Sequence, residues 1–176
     1  SNRALIRVRT TDSDQALHSA PKNTVQYEVP LSGLARDTVY YYAIYDGEHL
    51  LVGGDASYRF RTHPALGADR PTRIWVVGDS GTGGEGQVAV FRAQEQFVAQ
   101  SKRPIDVYLH LGDMAYQSGK DGEFQPKFFD IYEPFLRHTA CWPTQGNHEG
   151  RTSIGFKGTG PYYDAYVCPT NGEAGG

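Results

Sequence analysis

Three segments of the chain each combine an apolar run, a glycine and, directly after it, a side chain that could bind a metal ion. They are Gly78-Asp79-Ser80-Gly81 after residues 73–77, Gly112-Asp113-Met114-Ala115-Tyr116 after residues 105–111, and Gly146-Asn147-His148-Glu149 after residues 140–145. Each run predicts a buried strand, and parallel strands present their carboxyl ends at one edge of an open α/β sheet. Oxygen ligands and an imidazole gathered at one edge predict a metal site. The candidate residues are Asp79, Asp113, Tyr116, Asn147 and His148.

The spacing of apolar residues after residue 72 predicts the strands and helices that must position these residues. Apolar runs predict strands at 73–77, 105–111 and 140–144, and helical spacing predicts helices at about 87–102 and 124–137. One face of the second helix carries Phe124, Phe128, Ile131 and Phe135. Pro134 is expected to bend or end that helix. Strand–helix–strand–helix–strand with parallel strands is a βαβαβ unit. Residues 152–176 are predicted to form loops.

Residues 1–64 have the pattern of an all-β module. Strands are predicted at 5–9, 25–29, 38–45 and 57–62, with a hairpin turn at Asp46-Gly47. A complete sandwich of this kind needs about seven strands and roughly 100 residues, so its opening strands are expected to be missing. Residues 65–71, which contain a glycine and a proline and directly follow Pro64, have the composition of a linker.

Composition and charge limit the kinds of partner that this chain could bind. The formal net charge is −3 at pH 7, so the chain lacks the basic footprint of a nucleic-acid-binding protein. No apolar run approaches the roughly 20 residues that a membrane-spanning helix requires. The two cysteines, Cys141 and Cys168, lack the spacing of a thiolate zinc site. Whether they pair as a disulfide or remain free thiols is left open by the sequence.

In this order, the three strand-end motifs resemble the first three motifs of the calcineurin-like metallophosphoesterases. Tyr116 at the end of the second motif, behind a β module, is similar to the purple acid phosphatases. The run Leu31-Ser32-Gly33-Leu34 before a Tyr-rich strand, and the ending Phe60-Arg61-Thr62, resemble a fibronectin type III sandwich. The resemblance implies a partial fibronectin III-like sandwich at 1–64, a linker at 65–71 and the N-terminal half of a catalytic domain at 72–176. That α/β half-domain would be part of a four-layer α/β/β/α sandwich.

The resemblance also implies a function: hydrolysis of small-molecule phosphomonoesters, as an acid phosphatase, at a dinuclear centre of Fe(III) with Zn(II), Mn(II) or Fe(II). Mapped onto this sequence, Asp113 bridges the two ions, Asp79 and Tyr116 bind the first, and Asn147 binds the second. Tyr116 would give the iron a charge-transfer colour. His148 would hydrogen-bond the phosphate and protonate the leaving alkoxide. A secreted or periplasmic location follows from the resemblance alone.

Each candidate residue also has an ordinary structural explanation. The aspartates could be turn residues or helix N-caps, and Asn147 a left-handed turn residue. Tyr116 could be a half-buried aromatic and His148 a structural hydrogen-bonding group. His110, which lies within the second strand, is expected to pack or hydrogen-bond behind the site.

Two other functions stay open. One is a phosphodiesterase or nucleotide hydrolase of the same superfamily. The other is a non-catalytic β-sandwich binding or adhesion module on a degenerate, metal-free scaffold. The family pattern continues with further histidines, one alone and then a Gly-His-x-His pair, which do not occur here in matching contexts. We therefore expect the chain to be a piece of a larger protein that carries the rest of the site.

Overall fold

The computed structural model describes residues 6–8, 29, 31–46 and 48–168. The chain divides into two compact units, Ser1–Arg70 and Pro71–Gly176. The boundary between the units lies within residues 65–71. The assignment of these units as a partial sandwich and half of a catalytic domain remains a prediction.

Five short strands form the described part of the first unit. They are β1 (Ile6–Val8), β2 (Val39–Tyr41), β3 (Ala43–Asp46), β4 (His49–Gly53) and β5 (Arg59–Arg61). β1, β3 and β4 form one sheet in that order, and β2 pairs with β5 in another. The hairpin predicted at Asp46-Gly47 is confirmed by the antiparallel pairing of β3 with β4, although Gly47 itself lies outside the described residues. Of the strand predicted at 25–29, only Val29 is described.

The run 38–45, predicted as one strand, is two strands that belong to different sheets. The chain changes partner at Tyr42, whose N–H donates to the Tyr58 carbonyl at 3.0 Å and whose carbonyl accepts from Gly54 N–H at 3.4 Å. At Gly53 a Cβ would lie 2.5 Å from the Tyr42 carbonyl oxygen, so only glycine allows this approach. The alternation of side chains continues through such a switch, and the sequence pattern therefore does not reveal it.

Within the first unit, the hydroxyl of Tyr40 accepts a hydrogen bond from the Ala35 backbone N–H at 2.8 Å. The Tyr40 side chain is buried and stacks on Phe60 with 5.7 Å between ring centroids. A tyrosine hydroxyl bonded to the backbone a few residues upstream is the tyrosine corner of β-sandwich proteins.

The second unit confirms the predicted parallel βαβαβ arrangement. Its elements are β6 (Ile74–Val77), α1 (Glu85–Ser101), β7 (Val107–His110), α2 (Asp121–Phe124), α3 (Asp130–Leu136), β8 (Cys141–Pro143) and α4 (Pro161–Ala165). The strands are parallel in the order β6-β7-β8. None of the helices in the described part of the chain combines the length and apolar character needed to cross a bilayer.

The helices differ from prediction at their ends and in their regularity. Helix α1 ends where Lys102 adopts a left-handed conformation, with φ of 50°. The second predicted helix starts three residues early, at Asp121, and joins α2 to α3 through a π-helical turn at Gln125–Phe129. It continues through Pro134 to Leu136. The stretch predicted as loops, residues 152–176, contains a 3₁₀ helix at Gly155–Lys157 as well as α4, while residues 169–176 lie outside the described residues. Another 3₁₀ helix, Glu149–Arg151, directly precedes this stretch.

One face of the β6-β7-β8 sheet carries an aromatic core. Trp75 and Tyr108 stack across neighbouring strands with 4.7 Å between centroids, and Phe91 from α1 packs against them. Of the predicted helix face, Phe124, Phe128 and Phe135 are buried, but Tyr132 is buried in place of Ile131. Positions 131 and 132 both lie about one turn after Phe128, and Ile131 is half-buried against the same core.

The opposite face of this sheet is apolar and exposed. Ile74, Val76 and Trp142 are 49%, 51% and 47% exposed, respectively. Cys141 and Cys168 are both free thiols. Burial raises the pKa of the Cys141 thiol to about 12.

Candidate functional site

Hydrogen bonds between backbones join the loops that follow β6 and β7. Asp79 N–H donates to the Gly112 carbonyl at 3.1 Å, and Gly81 N–H to the Asp113 carbonyl at 2.9 Å. Tyr116 N–H returns to the Gly81 carbonyl at 2.9 Å. The first two strand ends are therefore held side by side, as parallel topology predicts.

Two glycines permit the close approach of these loops. A Cβ at Gly81 would lie 2.1 Å from the Met114 carbonyl carbon. A Cβ at Gly146, in the loop after β8, would lie 2.2 Å from Asp113 Oδ1 and 2.3 Å from Asp113 N. Both distances are far below van der Waals contact, so any larger residue at either position must push the loops apart.

Asp79 and Asp113 both have left-handed backbones, with φ of 55° and 58°. This conformation costs a non-glycine residue about 1–2 kcal/mol, although Asp tolerates it better than most. Strain of this kind clusters at functional sites. The hydrogen bonds between the loops hold both residues in this conformation at successive strand ends.

The structure brings four of the five candidate residues into direct contact. The Tyr116 hydroxyl donates to Asp79 Oδ1 at 3.0 Å, and the backbone N–H of His148 donates to Asp113 Oδ1 at 2.9 Å. The rings of Tyr116 and His148 pack edge to face with 4.3 Å between centroids. Asp113 is only 5% exposed, whereas Asp79 and Asn147 are exposed. Asn147 directly follows Gly146 in the loop after β8.

The orientation of His148 is fixed through its Nδ1 atom. Nδ1 lies 2.7 Å from the Gln117 carbonyl oxygen, which can only accept, so Nδ1 carries the proton. Nε2 lies 3.9 Å from Asp113 Oδ2. Arg151 Nη1 donates to the same Gln117 carbonyl at 2.9 Å. This carbonyl therefore sets the orientation of the imidazole relative to Asp113.

Glu123 holds the loop that presents the Gln117 carbonyl. Its carboxylate accepts backbone N–H bonds from Gln117 at 2.6 Å and from Ser118 and Lys120 at 3.0 Å each, and the Lys127 ammonium lies 3.0 Å away. Burial alone would raise the pKa of Glu123. The backbone N–H groups and Lys127 outweigh it, however, and bring the pKa down to about 2.

His110 is fully buried behind the first two loops, as predicted. Its Nδ1 accepts from the Gly112 N–H at 3.2 Å, so Nε2 carries the proton and donates to Ser80 Oγ at 2.8 Å. Burial lowers the pKa of His110 to about 4, and the ring is neutral at physiological pH. It serves as a buried brace between these two loops.

Electrostatics around Tyr116 favour its neutral form. Burial, the hydrogen bond to Asp79 and the charges of Asp79 and Asp113 raise the pKa of Tyr116 to about 12. Within the described ranges, no three His, Cys, Asp or Glu side chains converge as a metal-binding group. The oxygen donors at this edge are instead two carboxylates, a phenol and an amide.

Sequence reasoning assigned no role to two carboxylates that the structure places at the site. Glu149 is fully buried, and its side chain accepts backbone N–H bonds from Asp113, Ala115 and Gly146. Glu123 performs the same task for the N–H groups of Gln117, Ser118 and Lys120. The signals in the sequence are that Glu149 ends the third motif and that Glu123 is the third residue of α2, where Glu commonly accepts from the N-cap backbone.

Comparison with known proteins gave one family. A family model described as calcineurin-like phosphoesterase matches residues 72–173, which is more than half of the 176-residue chain and includes all three strand-end motifs. No curated protein and no solved structure matched the chain.

Proposed function

The chain belongs to the calcineurin-like phosphoesterase family, and from this premise we propose that the protein carrying it hydrolyses phosphomonoesters as an acid phosphatase of the purple type. Membership of the family implies metal-dependent phosphoester hydrolysis. The purple type is supported by one observation above all. The Tyr116 hydroxyl lies 3.0 Å from Asp79 Oδ1, at the sheet edge that also carries Asp113 and His148.

The oxygen donors fit a centre of hard metal ions. Asp79, Asp113, Tyr116 and Asn147 would hold the ions. Adjacent ligands of an octahedral ion with bonds of about 2.1 Å are separated by about 3 Å, as the Tyr116 and Asp79 oxygens are. The negative charges that raise the pKa of Tyr116 would be offset by a cation, and the phenolate would then be favoured.

The metal ions would supply Lewis-acid stabilisation of the phosphoryl oxygens and would lower the pKa of the attacking water. The protein supplies orientation and a proton. Because Nδ1–H of His148 is committed to the Gln117 carbonyl, Nε2 is the nitrogen left to face the phosphate. Only the imidazolium form carries a second proton, on Nε2, and in that form Nε2 can hydrogen-bond the phosphate and donate this proton to the leaving alkoxide.

Asp113→Asn tests the proposed function on the intact protein. We expect the unsubstituted protein to contain metal by elemental analysis and to release phosphate from an aryl phosphate monoester. Asp113→Asn should lose more than about 100-fold in activity, because even residues behind metal ligands cost 10–100-fold. Asp164→Asn is the matched control, because Asp164 is an exposed carboxylate in α4. This variant should retain both the bound metal and the phosphatase activity. Absence of stoichiometric metal would refute the proposal, and hydrolysis of diesters alone would favour a phosphodiesterase.

Tyr116→Phe tests the purple type separately. With iron bound, the protein should show a broad visible absorption that disappears in this variant and persists in Tyr163→Phe. The Tyr163 hydroxyl bonds to Gln145 Oε1 instead. A colourless protein with two zinc or manganese ions would retain the phosphoesterase and exclude the iron–tyrosinate centre.

The finer fold assignments are part of the proposal. The exposed apolar face formed by Ile74, Val76 and Trp142 supports a second layer of sheet there, because parallel strands are normally covered on both faces. Such a layer would complete the four-layer sandwich. The tyrosine corner at Tyr40 supports a fibronectin III-like first unit. A secreted or periplasmic location is proposed with the purple type.

A metal-free binding module is the second candidate. The observation on its side is that no group of three His, Cys, Asp or Glu side chains that could hold a metal occurs in the part of the chain that the structure describes. The elemental analysis above decides between the two, since a binding module would contain no stoichiometric metal.

A further inference from the structure

We propose that Glu149 locks the loops after β7 and β8 together and thereby sets the separation of Asp113 from Asn147 and His148 before substrate arrives. Glu149 would be a positioning residue, since it acts through the backbone of the residues it holds. The inference rests on the proposed function for its catalytic consequence. The contact between the two loops can be tested by hydrogen exchange, without an activity assay.

The contacts of Glu149 span both loops. Its Oε2 atom accepts from Asp113 N–H at 2.8 Å and from Gly146 N–H at 3.0 Å. Its Oε1 atom accepts from Ala115 N–H at 3.0 Å. The side chain has no exposed surface. A single buried carboxylate therefore satisfies three loop N–H groups, two from one loop and one from the other.

Those three N–H groups explain why a charged group is tolerated there. Buried backbone N–H groups need acceptors, and loops lack the ladder that provides them in a sheet. A carboxylate offers about four acceptor sites and no donors. Bonds from N–H groups to an ionised acceptor are roughly twice as strong as neutral ones. The burial cost of the charge is offset only while all three donors stay in place.

The lock acts on Asp113 from two sides. Glu149 binds the N–H of Asp113, and the N–H of His148 binds Oδ1 of the Asp113 carboxylate at 2.9 Å. Both groups come from the loop after β8. Because Asp113 has a strained left-handed backbone, with φ of 58°, these contacts determine whether it remains there. Gly146, the third partner, directly precedes Asn147.

Glu149→Gln is a suitable perturbation because it keeps the shape of the side chain and removes an acceptor. All three partners are donors, so the amide NH₂ must face at least one N–H whichever way it is turned. Glu133→Gln is the matched control. Glu133 lies on the exposed side of α3 and pairs with Arg137.

The experiment is amide-resolved hydrogen exchange on the intact protein, followed by metal titration. In the unsubstituted protein, the amides of Asp113, Ala115 and Gly146 should be protected and should open together, although they lie on two loops. In Glu149→Gln we expect all three to exchange about 10–100-fold faster and metal affinity to fall about 10–100-fold. Glu133→Gln should change neither.

A leaving-group comparison separates positioning from simple loss of folded protein. If Glu149 aligns His148 with Asp113, the variant should lose more activity on phenyl phosphate than on 4-nitrophenyl phosphate, whose leaving group needs less protonation. A purely structural role would lower both rates by the same factor.

Two outcomes would overturn the inference. One is a Gly146 amide that opens independently of Asp113 and Ala115 in the unsubstituted protein, a result that decides the matter even if the variant fails to fold. The other is folded Glu149→Gln that binds metal with unchanged affinity. If the unsubstituted protein neither binds metal nor hydrolyses phosphoesters, the proposed function fails while the exchange data still test the lock.

Discussion

Replacing Gly146 with alanine would place a methyl group between the two loops that carry Asp113 and His148. The added Cβ would lie 2.2 Å from Asp113 Oδ1, 2.3 Å from Asp113 N and 2.8 Å from Glu149 Oε2. Ordinary contact begins at 3.4 Å, so the loops must separate by about 1 Å. The φ angle of Gly146 is not positive, so the cost of the substitution arises from steric overlap rather than from backbone strain.

The expected magnitudes follow from this displacement. Overpacking of a well-packed region costs about 1–3 kcal/mol of stability. A misplacement of about 1 Å between catalytic groups costs about 100-fold in rate. Activity should therefore fall much further than stability alone would explain, since a protein that loses about 2 kcal/mol usually remains mostly folded.

Gly150→Ala is the matched control, four residues along the chain in the 3₁₀ helix Glu149–Arg151. A Cβ at Gly150 would have no neighbour within 4 Å. We would measure kcat/KM on an aryl phosphate, the thermal unfolding midpoint and the metal content of both variants. The reasoning is refuted if Gly146→Ala keeps kcat/KM and metal within about twofold of the unsubstituted protein, or if both variants lose activity equally.

Two further predictions concern stability. Phe128→Ala in the aromatic core should lower the free energy of unfolding, measured by urea denaturation, by about 3–5 kcal/mol. Phe156→Ala is the control, because its side chain is 89% exposed, and it should change this free energy by less than about 0.5 kcal/mol. The folded-state pKa of Glu123 is about 2, below its ordinary value of 4.5, so its stabilisation is present above pH 4.5 and is lost as pH falls toward 2. Glu123→Gln should therefore be destabilising at pH 7 and less so at pH 3, and a pH-independent difference would contradict this.

The positions of the candidate residues were predictable because they depend on residues that are adjacent in the sequence. An apolar run ending in Gly-Asp or Gly-Asn predicts a strand and the turn after it, and parallel topology then places all the turns at one edge. The structure bears this out for the pairs Asp79 with Tyr116 and Asp113 with His148, which are in hydrogen-bond contact. Their roles as metal ligands and proton donor remain a proposal.

Features that depend on distant partners were not predictable from the sequence. The run 38–45 alternates like one strand, but Tyr42 bonds to Tyr58 and accepts from Gly54, and this switches the chain between sheets. In the second predicted helix, Ile131 and Tyr132 both lie at helical spacing from Phe128, and only the fold shows that Tyr132 is buried and Ile131 half-buried. Helical periodicity also does not predict the π-helical turn at Gln125–Phe129.

The buried carboxylate of Glu149 is the least predictable part of the site. Glu is ordinarily a surface residue, so Glu149 does not stand out in a sequence of polar loops. The need for it arises only after the strands have placed the loops after β7 and β8 together with unpaired backbone N–H groups between them. A sheet edge built from glycine-containing loops lacks a hydrogen-bond ladder of its own, and side-chain acceptors must replace it. The residues that keep Asp113 and His148 in register are therefore defined by the backbone donors around them, and only the folded structure shows where those donors lie.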